Sequence, residues 1–140
     1  MCLRDELGEV IFSACRFVES CTEAFEAELL ACSEGLALSI QHCQLPIIID
    51  SDCSLLVSAA KGTTQDRSPY LHYIDEIKRL VSGSQGCNFV KVDRGQVRVS
   101  HCLANWARLE RRTVCMLGSG PDVFLREIEL EQLVSPIIAQ

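Results

Sequence analysis

Three residues of this sequence have types and surroundings that can carry chemistry: Glu28, Asp52 and His101. Glu28 lies in a stretch with helical spacing. At about 100° per residue, Glu23, Glu26, Ser33, Glu34 and Gln41 share one arc. The opposite arc holds Ala24, Ala31, Cys32, Gly35 and Ser39, with Glu28 near its middle. A carboxylate on a buried face of small residues is costly unless it is paired or holds a metal; the plainer readings are that the face is misjudged or that the glutamate is satisfied by a nearby donor. Asp52 falls just past the end of an apolar run, where open α/β sheets place their ligand sites, and Asp50 shares its side if the strand extends that far. Taken alone, an ordinary helix cap, with Ser51, Asp52 or Ser54 serving, is the stronger reading. His101 shares a helix face with Asn105 and Arg108, opposite Val99, Leu103 and Trp106. Around it lie Lys91, Arg94, Arg98, Arg108, Arg111 and Arg112 against Asp93 and Glu110, a net +4 over residues 91–112. With −6 for the whole chain, the rest carries −10. A basic helix can hold a phosphate backbone; it can also be a solvated helix face.

Other chemistries find little support. There is no glycine-rich phosphate loop, no GxSxG elbow and no HExxH pair. Nine cysteines are present and no two are spaced as CxxC, which weakens a zinc reading. The N-terminal Met1-Cys2-Leu3-Arg4-Asp5-Glu6 is charged and lacks a signal-peptide core. The expectation is an intracellular protein, nuclear or cytoplasmic, with reduced thiols used as small hydrophobes. No apolar run approaches the roughly 20 residues that span a bilayer. The 140 residues are 48 % hydrophobic and 23 % charged, the balance of one ordinary globular domain. The net charge of −6 argues against an indiscriminate nucleic-acid binder.

These residues need elements to position them. Asp5 to Gly8 is a turn signal between Cys2–Asp5 and Val10–Val18, which reads as a hairpin. Ser20-Cys21-Thr22-Glu23 has the spacing of a capping box, and a helix should follow to about Cys43. Leu45–Asp50 is a short apolar strand of the kind buried on both faces in a parallel pair. Ser51–Ala60 reads as helical, closing at Gly62, and Gly62–Arg67 as a polar loop. Ser68-Pro69 starts a helix with Tyr70, Ile74, Ile77 and Val81 at helical spacing. Cys87–Asp93 reads as a strand and Val97–Arg112 as a helix; Gly118–Pro121 is a breaker. The order implies an α/β domain, a mixed sheet flanked by helices.

Four segments in this order resemble the ribonuclease H-like domains of plants, which are similar to the RNase H region of non-LTR retrotransposon polyproteins. Leu3–Val10 looks like the family's hairpin turn, an Arg-Asp with Gly three residues on. Ala27-Glu28 leading to Gly35-Leu36 resembles its acidic helix. Ile48-Ile49-Asp50-Ser51-Asp52-Cys53 resembles its acid-Ser-Asp-Ser strand end. Arg94 through Val99-Ser100-His101-Cys102-Leu103-Ala104 resembles its last motif. The resemblance covers residues 3–112, so residues 1–112 are expected to form the domain and 113–140 a C-terminal extension.

The resemblance implies two-metal hydrolysis of the RNA strand of an RNA–DNA hybrid, with carboxylates holding Mg²⁺. It assigns Glu28 and Asp52 as catalytic metal ligands and places His101 where active relatives have a fourth acid. Imidazole is not a hard oxygen ligand for Mg²⁺. Val97 stands where the family has Asn. Met1 falls where the family's second strand begins, so the central first strand with its catalytic Asp is expected to be missing. Asp5 is a turn residue, not its substitute. Two strand edges are then left unpaired, open to a partner or to self-association. The implied function is a ribonuclease H-like domain that binds hybrid or RNA-like duplex through Arg94, Arg98, Asn105 and Arg108, with weak or absent cleavage. The alternative is a retroelement-derived domain that binds protein and does not cleave.

Overall fold

The computed structural model describes residues 1–62 and 69–134. In chain order the elements begin with β1 (Cys2–Arg4), β2 (Val10–Cys15), α1 (Ala24–His42), β3 (Ile47–Ser51), α2 (Ser54–Ala60) and α3 (Leu71–Ser82). There follow β4 (Cys87–Lys91), a 3-10 turn (Arg94–Val97), α4 (Arg98–Glu110), β5 (Val114–Leu117) and α5 (Asp122–Val134). The expected order is present, and β5 and α5 come after it. The Gly62–Arg67 loop and the Ser68 cap fall, apart from Gly62, outside the described residues. The chain forms two compact units, Glu19–Val97 and Met1–Val18 with Arg98–Gln140.

In the unit Glu19–Val97, β3 and β4 pair in parallel with Ile47 opposite Cys87, Ile49 opposite Phe89 and Ser51 opposite Lys91. Leu29, Cys32 and Leu36 of α1, Leu56 and Val57 of α2 and Ile74 and Ile77 of α3 form one core with Ile47 and Phe89. The period-2 alternation of a strand puts Ile48 on the other face, and Ile48 is 70 % exposed. The strand is thus buried on one face, not two; an apolar run does not tell one covered face from two. The start of α1 also differs from the Ser20–Glu23 box. Glu23 occupies the cap position without a side-chain capping bond, and the Thr22 N–H donates to Glu26 Oε2 (2.8 Å). Glu26 in the first turn reaches back to a free amide, which the helix dipole favours.

In the other unit, β1, β2 and β5 form an antiparallel sheet in the order β1-β2-β5. The hairpin turn is built by Asp5, whose Oδ1 accepts the N–H groups of Leu7 and Glu9 (both 2.9 Å). Opposite, β2 pairs with β5 from Phe12–Leu117 to Cys15–Val114. One core joins Cys15 of β2, Val99, Leu103 and Ala107 of α4, and Phe124 and Ile128 of α5. The stretch after residue 112 therefore supplies a strand and a helix to this unit. Its helix start had a sequence signal, Pro121 before Asp122: the Phe124 and Leu125 N–H groups donate to Pro121 O (2.9 and 3.0 Å).

Candidate functional site

Glu28 and Asp52 belong to the same unit. Glu28 is half-buried, next to Leu29 and one turn before Cys32. The buried stripe of α1 is Leu29, Cys32, Ser33, Leu36 and Ser39. Ala24 and Ala31, read from sequence as inward, are exposed. The leucines offer more apolar area than the small residues, so they win the inward position. Glu28 accordingly lies on the flank of the buried face rather than at its centre. Asp52 is half-buried in the turn from β3 to α2. The strand stops at Ser51, so Asp50 and Asp52 are not two residues of one strand. The cap position of α2 is Cys53 and its side chain makes no capping bond; the Cys53 N–H donates instead to Ser51 Oγ (3.1 Å), which shapes the turn that presents Asp52. Glu28 and Asp52 thus adjoin Leu29 and Cys53, which meet at one core.

His101 belongs to the other unit. At about 100° per residue, Arg98, His101, Asn105 and Arg108 of α4 fall in one narrow stripe. Val99, Leu103 and Ala107 are buried on the side directly opposite. Arg98, Asn105 and Arg108 are exposed and His101 is half-buried. Arg108 Nη2 donates to Asn105 Oδ1 (2.9 Å), which fixes both heads along the stripe. Arg98 Nη2 lies 2.9 Å from Glu127 Oε1 of α5. That approach is close but off the hydrogen-bond axis, so Glu127 Oε1 remains buried without an aligned donor. Glu127 has no signal of its own in the sequence, since acids interrupt the apolar spacing of α5. Arg94 sits in the exposed 3-10 turn just before α4. Arg111 ends the helix in the left-handed region (φ +51°) with its guanidinium over the Phe17 ring (5.8 Å).

Metal binding can be tested on these donors. Two carboxylates adjoin one core, and the third predicted member is an imidazole. Among the described residues no three His, Cys, Asp or Glu side chains converge as a metal site. A two-ion centre needs several hard oxygen donors around each Mg²⁺. The residues present do not fit one, and no hydrolytic step is derived through it.

An antiparallel sheet in one unit, a parallel pair in the other and the helices of each make up an α/β fold, and its likeness to the ribonuclease H fold rests on a solved structure. RNase H1 from the halophilic archaeon Halobacterium salinarum NRC-1 is similar to this chain with a TM-score of 0.57 and 20 % identity, covering 63 % of this chain and 67 % of that one. Residues 1–107 match the model of the reverse transcriptase-like family. The chain belongs to that family. The match ends inside α4, so β5 and α5 lie beyond it. Among curated proteins nothing matches the chain. Among the described residues no helix is long and apolar enough to cross a membrane.

Proposed function

We propose that the chain is a nucleic-acid-binding domain of the ribonuclease H-like class that holds an RNA–DNA hybrid or RNA-like duplex and cleaves it weakly or not at all. The observation that carries this reading is the stripe on α4. Arg98, Asn105 and Arg108 stand exposed on the side opposite the buried residues, with Arg94 just ahead in the chain, in a protein whose other segments are strongly acidic. Cations on one face of a rigid helix suit phosphate contacts, and Asn105 suits a sugar hydroxyl; such duplexes are recognised by shape, hydroxyls and phosphates rather than by sequence. Glu28 and Asp52 are the acids that the resemblance assigns to Mg²⁺, and two carboxylates fall short of the hard donors that a two-ion centre needs. The donor set limits the chemistry, which supports binding over cutting.

The test is binding of a short hybrid over a range of salt. Changing Arg94, Arg98 and Arg108 to Ala together should flatten the salt dependence by about 0.9 for each lost phosphate contact. Binding that is unchanged in that variant refutes the reading. In a parallel Mg²⁺ assay, cleavage that vanishes in both Glu28→Gln and Asp52→Asn would overturn the expectation of weak or absent activity. Robust cleavage that survives both changes would sink the acid-pair assignment.

A further inference from the structure

Four strand edges are open among the described residues, and three are guarded. β1 carries Arg4 and a register shift between Leu3 and Arg4. β3 carries Asp50, and β4 carries Lys91. Charges and bulges of this kind keep an edge from pairing with another chain. The fourth edge, β5, reads Val114-Cys115-Met116-Leu117, with no charge, proline or bulge. The direction of its backbone groups follows from the ladder. The Gly118 N–H donates to Ile11 O (2.8 Å). By antiparallel alternation, Val114 and Met116 then also point their N–H and C=O toward β2. Those of Cys115 and Leu117 point outward, where no described strand meets them. The side chains of these two are exposed as well, Leu117 by 65 %.

We propose that β5 is a self-association edge, and that its occupant is β5 of a second copy in antiparallel two-fold pairing. Charge selects this orientation. A parallel alignment would stack Arg111 and Arg112 on their own copies, and like charges directly opposite destabilise a sheet. The antiparallel one sets them beside the uncharged Gly118–Pro121 turn of the other copy, with Asp122 just beyond. With Met116 on the two-fold axis, Cys115 and Leu117 of the two copies exchange their outward hydrogen bonds and cover each other on one sheet face. The two sheets join into one, the self-complementary arrangement of a two-fold interface. This edge differs from those the sequence leads one to expect, since four residues are too few for alternation to mark β5, and the proposal does not depend on nucleic-acid binding.

The experiment is sedimentation equilibrium of the full chain over a wide concentration range at low and high salt. The mass should rise from 15.5 kDa toward twice that value with little dependence on salt, and thiol labelling of Cys115 should slow as protein concentration rises. Cys115→Pro removes an outward N–H and leaves the β2–β5 ladder intact, as proline is tolerated where the N–H faces solvent. Leu117→Lys adds a charge to an exposed side chain. Both variants should stay monomeric at every concentration with unchanged circular dichroism. A wild-type chain that is monomeric throughout, or a dimer that persists in both variants, overturns the proposal.

Discussion

Gly120→Ala should be among the costliest single-methyl additions in this chain. A Cβ at Gly120 would lie within the contact envelope of the Phe124 ring, 2.6 Å from Cε1 and 2.9 Å from Cγ. Optimal carbon contacts are about 3.5–4.0 Å, so something must move by roughly 1 Å. The backbone is poorly placed to give way. The buried Ser13 hydroxyl donates to Ser119 O (2.6 Å), and the Phe124 N–H donates to Pro121 O (2.9 Å). The ring must yield instead, and it is fully buried in the core shared with Val99, Leu103 and Ala107. Overpacking costs about 1–3 kcal/mol, and losing a buried Phe about 3–5 kcal/mol, so about 3 kcal/mol is expected. Urea unfolding followed by circular dichroism reads this as a midpoint lowered by on the order of 1.5 M. Two controls separate the causes. Gly118 has φ +63° and open space around it, so Gly118→Ala should cost roughly 1–2 kcal/mol through the left-handed backbone alone. Gly95 has open space and ordinary φ, so Gly95→Ala should stay within about 0.5 kcal/mol. If Gly120→Ala proves no worse than Gly118→Ala, Phe124 does not seat under this turn and the docking of α5 on α4 is wrong.

Two further outcomes follow from single groups. Burial, with smaller contributions from Cys87 and Glu28, pushes the Cys32 thiol from 9.0 up to about 12. The folded protein keeps a proton there that the unfolded chain releases, so this contribution is whole below pH 9 and is lost as pH rises toward 12. The loss approaches about 1.4 kcal/mol per pH unit. Urea midpoints from pH 8 to pH 10 should therefore fall more steeply in the wild type than in Cys32→Ala, and equal slopes would refute the burial argument. Glu127→Gln keeps the shape of α5 and removes the anion beside Arg98. The Arg98 end of the pair is exposed to solvent, which limits it to at most about 1 kcal/mol, so hybrid affinity should rise by up to about fivefold; a fall in affinity would place Arg98 outside the contact.

Much of the fold was legible because period and punctuation agreed. The hairpin, the α3 pattern of Ile74 and Ile77, and the α4 pattern of Val99 and Leu103 all have their apolar residues inward as the sequence spaces them. The misses have particular causes. On α1 the small residues suggest a face centred on Glu28, but Leu29 and Leu36 take the core, which turns the helix and leaves Glu28 on the flank. On β3 three isoleucines in a row hid the exposure of Ile48. β5 is four residues long, too short for alternation to register, and α5 carries acids between its apolar positions, which blurred the spacing of Phe124 and Ile128. Glu28, Asp52 and His101 stand out in the sequence by type alone, whereas Glu127 has no such signal without the helix that brings it to Arg98.

The balance of charge sets what kind of binder the stripe can be. Arg94, Arg98 and Arg108 give at most three phosphate contacts, and Glu127 offsets part of one. With a slope of about −0.9 per contact, a fourfold rise in salt weakens binding by roughly 40-fold for three contacts and about 12-fold for two. A protein that relies on many phosphate contacts loses several powers of ten over the same range. The remaining net charge of −10 further repels a duplex from other faces. Phosphate attraction alone therefore cannot hold an arbitrary nucleic acid here. Selectivity must come from groups that read the ribose edge, and Asn105, exposed and bonded by Arg108, is the side-chain amide on this stripe, with both donors and an acceptor. On this argument Asn105→Ala should narrow the preference for hybrid over DNA duplex while leaving the salt slope unchanged. A change in slope without a change in preference would show that electrostatics alone does the binding.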